Sequence, residues 1–127
     1  MFASIASTAL VGVDTRPVQV EVHAGQSRRA SFSIVGLPDT AVREARERVL
    51  SALASSRFHV PAGRITVNLS PADLPKAGSA YDLPIALGTL VATGQVRPEA
   101  TRVVALGELA LNGDVRSVRG GLGAALV

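Results

Sequence analysis

A single lysine, Lys76, stands three residues before Ser79 in the stretch LPKAGSAYDLPIAL, Leu74 to Leu87, on a glycine-containing loop that runs into an apolar helical pattern. A Ser-Lys hydrolase needs a serine at the mouth of a helix and an amine within hydrogen-bond reach, kept neutral by desolvation. Pro75 and Gly78 flank the pair, which predicts an exposed loop with the Lys76 ammonium in water, protonated near its ordinary pKa of ~10.4. In that state the amine is no base. Ser79 is then expected to cap the following helix, its hydroxyl accepting from the backbone amide of Tyr81 or Asp82.

Other chemistry is narrowed by what residue types are available. The chain has no cysteine, so disulfides, thiolate zinc sites and thiol nucleophiles are excluded, which fits a cytoplasmic protein. His23 and His59 lie far apart without ligand spacing and are expected to be surface histidines, with no metal bound. Asp39, Asp73 and Asp82 fall at loop ends, where Asp39 and Asp82 suit the positive ends of helices. The glycines of GGLGA and GDVRSVRGG do not fit the phosphate loop GxxxxGK[ST], so no nucleotide site is expected in this chain.

Twelve arginines and one lysine against ten carboxylates give a formal charge of +3, which permits a polyanionic partner without requiring one. Candidate nucleic-acid contacts are Arg28 and Arg29 at a turn, Lys76 on its loop, and Arg116 and Arg119 after a hairpin. Gathered on one rim, they would contact phosphates. The aromatic residues are Phe2, Phe32, Phe58 and Tyr81, little material for a base-stacking platform.

The elements that must position these residues follow from periodicity. At 127 residues, 47% of them hydrophobic, the chain can bury the core of one domain, residues 1–127. IASTALVGVD, VQVEVHA and ASFSIVG read as three short strands separated by turn residues, most simply an antiparallel meander. Val18, Val20 and Val22 alternate with Gln19, Glu21 and His23, so one strand face is buried and the other wet. GLPDTAVREARERVLSALASS reads as one amphipathic helix with Pro38 in its first turn and Glu44–Arg48 and Arg43–Glu47 pairs on a solvated face. RITVNLSPADLP is a buried strand over Ile65–Leu69, DLPIALGTLVATG a buried helix closed by Gly94, and RVVALGELALNGDVRSV two strands joined at NGD. GGLGAALV reads as the start of a further helix at the edge of a longer chain. Strands in runs with helices between them predict an α/β (α+β) two-layer sandwich. No stretch reaches the ~18 apolar residues needed to span a bilayer, and no membrane partner is expected.

Two stretches, SIVGLPDTAVREARERVLSAL and RITVNLSPADLPKAGSAYDLPIALGTL, resemble the N-terminal domain of the YifB/ComM family of Mg-chelatase-like bacterial AAA+ proteins, and the resemblance extends over essentially the whole chain. It implies a fold like the proteolytic domain of Lon and the second domain of a small-subunit ribosomal protein. It also implies a following AAA+ ATPase module that binds ATP and Mg2+, sister subunits in a hexameric ring, and a role as a branch-migration helicase in natural transformation. Matching through DLPIAL puts Ala80 at the place of the Lon serine and Gly123 at that of its lysine, so the resemblance implies no proteolytic dyad and a non-catalytic accessory domain. Two alternatives stay open beside it: a degenerate serine hydrolase of Lon type, and a stand-alone nucleic-acid-binding module.

Overall fold

Alternation of Val18, Val20 and Val22 with polar neighbours builds the centre of the molecule. In the computed structural model, which describes residues 1–118, all three valines are buried, while Gln19 and His23 are exposed and Glu21 half-buried. They lie on β2 (Asp14–Gly25), which pairs antiparallel with β1 (Phe2–Val11) through a tight turn at Gly12. β3 (Ser31–Val35) is short, and it does not continue the meander. Instead β4 (Arg64–Ser70) inserts between β2 and β3, antiparallel to the first and parallel to the second, giving the sheet order β1-β2-β4-β3. The physical reason is the helical segment after β3, which supplies the long crossover that a parallel neighbour requires.

That segment is two helices and not one. α1 (Thr40–Arg43) is capped by Asp39, and the axis breaks at Glu44 before α2 (Ala45–Ser55). Pro38 sits outside the helix, in a bridge to Lys76. α2 buries Ala45, Val49, Ala52 and Leu53. α3 (Asp82–Ala92) is apolar nearly all round and packs on β1, β2 and α2. A β-carbon on Gly88 would stand 2.6 Å from Val22 Cγ2, so glycine here lets α3 approach the sheet. The helix ends at Gly94, with φ +76°, where the amides of Gly94 and Gln95 return to the carbonyls of Val91 and Leu90.

A 3₁₀ turn (Pro98–Thr101) leads back along β1, where the Ala105 amide donates to Ala6. β5 (Glu108–Leu109) and β6 (Val115–Arg116) then form a two-residue ladder closed by the NGD turn. The architecture is the expected α+β one: a four-stranded sheet with helices on one face, its other face lined by Ser4, Gln19, Glu21, His23, Thr66 and Asn68. Among the described residues no helix is long and apolar enough to cross a membrane.

Candidate functional site

The loop bearing Lys76 and Ser79 is fastened to the loop after β3. Gly36 has φ +107°, and a β-carbon there would lie 2.2 Å from the Leu69 carbonyl oxygen, so only glycine lets the chain pass so close to β4. Leu37 follows with φ 56°. Its carbonyl accepts from the Lys76 amide at 3.0 Å, and the Asp39 amide donates to the Lys76 carbonyl at 3.0 Å. Asp39 then serves both loops: Oδ1 accepts from Val42 N at 2.8 Å, capping α1 as expected, and Oδ2 accepts from Gly78 N at 3.2 Å.

This fastening places Lys76 where proline and glycine neighbours did not suggest. The side chain is 1% exposed, not hydrated, and its ammonium donates to the Pro71 carbonyl. Loss of water pushes the Lys76 pKa below its ordinary value, and the charge of Asp73 opposes the shift. The shift is in the direction a general base requires, but the hydrogen-bond partner of the amine is the Pro71 carbonyl and not Ser79. Ser79 is half-buried and does not cap α3 with its hydroxyl; Tyr81 holds the cap position, and Ser79 contributes its carbonyl to the Asp82 amide at 3.2 Å.

A cleft of about 410 Å³ opens beside Ser79, walled by Thr8 and Leu10 of β1, by the loop from Pro75 to Tyr81, and by Glu108 and Val118. Its floor is rigid. Tyr81 is buried and donates from Oη to the Thr8 carbonyl at 3.0 Å; burial, with the Asp39 charge adding, pushes its pKa up to about 12. Asp82 is fully buried and receives Arg48 on both oxygens, from Nε at 2.6 Å and Nη2 at 3.0 Å, together with the Leu109 amide at 3.1 Å. Burial raises the Asp82 pKa despite these donors, and the bond to Asp82 raises that of Arg48. Nη2 of Arg48 also donates to the Ala41 carbonyl at 2.7 Å, so one guanidinium joins α1, α2 and α3. The expected Glu44–Arg48 surface pair is replaced by this buried one, because the α2 face bearing Arg48 packs against the start of α3.

The cationic residues named from the sequence do not share a rim. Arg116 lies 3.9 Å from Glu108 beside the cleft, and Lys76 is inside. Arg28 and Arg29 follow Gly25, which is eight residues along β2 from Pro17, the register partner of the cleft residue Thr8; at ~3.3 Å per residue the separation is ~26 Å. Arg119, Gly123 and the helix start at GGLGAALV lie outside the described residues. Two residues that reasoning from the sequence missed are Arg48 and Asp82 as partners; an aspartate opening an otherwise apolar helix was the available signal. Among the described residues no three His, Asp or Glu side chains gather as a metal site.

Residues 18–127 match the family model described as subunit ChlI of Mg-chelatase. The chain is 46% identical to YifB of Escherichia coli strain K12 over 127 residues, 98% of this chain and 25% of that protein. It is 44% identical to YifB of Salmonella typhimurium over 124 residues, 97% of this chain and 24% of that protein. With the competence protein ComM of Haemophilus influenzae it shares 46% identity over 119 residues, 93% of this chain and 23% of that protein. The chain thus spans about a quarter of the length of the curated relatives it matches.

Proposed function

The chain belongs to the Mg-chelatase-like family that takes in YifB and ComM, and from that membership we propose that it is a non-catalytic accessory domain working beside an AAA+ ATPase module in DNA processing. The observation that carries the non-catalytic part is the position of Lys76: the one lysine of the chain is enclosed and hydrogen-bonded to the Pro71 carbonyl, leaving Ser79 without an amine to take its proton. The ComM relative is named a competence protein, and branch migration of DNA driven by ATP and Mg2+ in a hexameric ring is the activity proposed for the full-length protein. Within it the domain shapes the ring or guides DNA.

Two measurements test the reading. Ester or casein turnover that disappears in Ser79→Ala would replace it with a serine hydrolase; equal, background-level rates in both proteins are expected. The full-length protein is expected to contain a phosphate loop beyond Val127 and to hydrolyse ATP faster when DNA is added. A chain ending close to Val127 would leave a stand-alone module and remove the motor from the reading.

A further inference from the structure

The sheet end remote from the cleft concentrates positive charge. Residues 23–31, 56–66 and 93–97 contain Arg28, Arg29, Arg57, Arg64 and Arg97, with His23 and His59, and not one carboxylate; the carboxylates that border these segments are Glu21, which accepts from Asn68 Nδ2, Glu99, and Asp114, whose turn lies against Ser56. The ion pairs among the described residues join Arg46 to Glu47, Arg48 to Asp82 and Arg116 to Glu108, and none uses these five arginines. All five are exposed. The register brings three of them together: Arg64 opens β4 opposite Gly25 on one side and Ser31 on the other, and the loop joining Gly25 to Ser31 holds Arg28 and Arg29. Strands lie ~4.8 Å apart, so this loop closes over the Arg64 backbone. Arg28 lines a shallow hollow with Gly25, Gln26, Ala62 and Gly63, and a β-carbon on Gly63 would stand 2.4 Å from the Gly25 carbonyl oxygen, so the two loops touch.

The same end exposes flat rings. Phe2 is the register partner of His23 on the uncovered face of the sheet, and Phe2 is 59% exposed. The imidazole of His23 lies beside Gly25, within 3.5 Å of where a β-carbon on that glycine would be. Thr66 is the next partner across, two residues along β4 from Arg64. Phe2, His23, Thr66 and Arg64 therefore form one continuous strip, bordered by the arginine loop. Few as the aromatic residues are, the fold places one on the surface where the cations are.

We infer that this end of the sheet binds single-stranded nucleic acid, with Arg28, Arg29 and Arg64 on successive phosphates and Phe2 and His23 as stacking surfaces for bases. Unpaired arginines around close-packed glycine backbone suit a phosphodiester chain, and an exposed ring pair on a flat strand surface suits unstacked bases better than a duplex, whose base faces are closed. The inference deepens the DNA-processing reading above and rests on it for its setting.

Fluorescence anisotropy with the 127-residue chain and a labelled single-stranded oligonucleotide of mixed sequence tests it. Binding at 50 mM salt should weaken steeply by 200 mM. Replacing Arg28, Arg29 and Arg64 by alanine should lower the slope of log affinity against log salt by about 2, at ~0.7 for each phosphate no longer neutralised. Phe2→Leu should weaken binding roughly 5- to 100-fold while leaving the salt slope unchanged, as removal of a stacking partner does. Arg116→Ala, beside the cleft, should change neither. No binding at 50 mM salt, a triple variant that binds as wild type, tighter binding to duplex than to single strand, or equal displacement by polyglutamate would each overturn the inference. If the chain fails to bind while DNA still stimulates ATP hydrolysis by the full-length protein, the surface is wrong and the accessory-domain reading stands. If the chain binds but the full-length protein has no phosphate loop, the reading falls and the surface stands.

Discussion

The two ends of the sheet use their polar residues in opposite ways. At the cleft end Asp39, Lys76, Tyr81, Asp82 and Arg48 are each committed to named partners, and the loops after β3 and β4 are bound to each other through the Pro38–Lys76 bridge. At the arginine end, Arg28, Arg29 and Arg64 have no ion-pair partner among the described residues, and the two segments that carry them, 25–31 and 57–64, contain no carboxylate. Polar groups that stabilise a fold are desolvated and satisfied; groups kept for a partner remain in water. Substitutions at the first end that leave a buried partner unpaired should therefore cost stability, and those at the second should leave it alone.

Arg48→Met carries the largest expected loss. It leaves the fully buried Asp82 carboxylate with the Leu109 amide as its remaining donor, and removing one member of a buried ion pair costs ~3–5 kcal/mol. Urea unfolding should place the variant in that range; a loss under ~1 kcal/mol would mean that Asp82 takes up a proton or water at little cost and that the cleft floor is softer than its hydrogen bonds indicate.

Tyr81 comes next and shows itself in alkali. Its folded pKa of about 12 lies above the unfolded value of ~10, so the native chain holds the phenol proton more tightly. The associated stability is fully present below pH 10 and is lost as pH rises towards 12, by at most ~2.7 kcal/mol at ~1.36 kcal/mol per unit. Tyr81 is the only tyrosine, so its ultraviolet phenolate band reports the titration directly. Tyr81→Phe should remove that pH dependence while losing ~1 kcal/mol at neutral pH with the bond to Thr8. A phenolate midpoint near 10 would show that the floor of the cleft admits water.

Local pattern revealed most of the elements and little of their pairing. The alternation around Val20 exposes the half-buried strand directly, and the near-continuous apolar run of α3 together with Gly94 marks a buried helix with its end. What periodicity cannot report is which strands become neighbours: β3 and β4 pair only because a helical crossover between them permits a parallel ladder. The same limit applies at the site. Lys76 looks solvated beside Pro75 and Gly78, and it becomes buried through backbone bonds to Leu37 and Asp39, far earlier in the chain. Arg48 has the Glu44 carboxylate four residues before it, at the break between α1 and α2, yet takes Asp82, because a buried acceptor gains more from a guanidinium than an exposed one does. Arg64, Phe2 and His23 belong to three different strands, and only the register brings them onto one strip.

Lys76 sharpens the contrast from the other direction, since its burial is costly. Lys76→Met keeps most of the volume and removes an enclosed charge, while the Pro71 carbonyl keeps the Leu74 amide, at 3.3 Å, as a donor. The expected change is within about 1 kcal/mol of zero, with stabilisation the favoured sign. The pH response supplies a second readout. With its pKa lowered on folding, the native chain releases the Lys76 proton before the unfolded chain does, so wild-type stability rises with pH below ~10.5 from this group and the methionine variant lacks that rise. A loss above ~2 kcal/mol would mean that the ammonium contributes to the loop more than its desolvation costs.

The smallest stability effects are expected where the binding effects are greatest. Arg28→Ala, Arg29→Ala and Arg64→Ala remove exposed side chains without an ion-pair partner among the described residues, and each should shift unfolding by no more than ~0.5 kcal/mol. Near-zero shifts, combined with loss of oligonucleotide affinity, would show that these cations serve a partner and not the fold. A larger loss in Arg64→Ala would instead mean that its stem packs over the Gly25–Ser31 loop and holds the edge of the sheet, which would bring the arginine end under the same rule as the cleft. Because Arg64 lies between both neighbouring strands while Arg28 and Arg29 lie on the loop alone, comparing Arg64→Ala with the other two separates a structural arginine from a binding one.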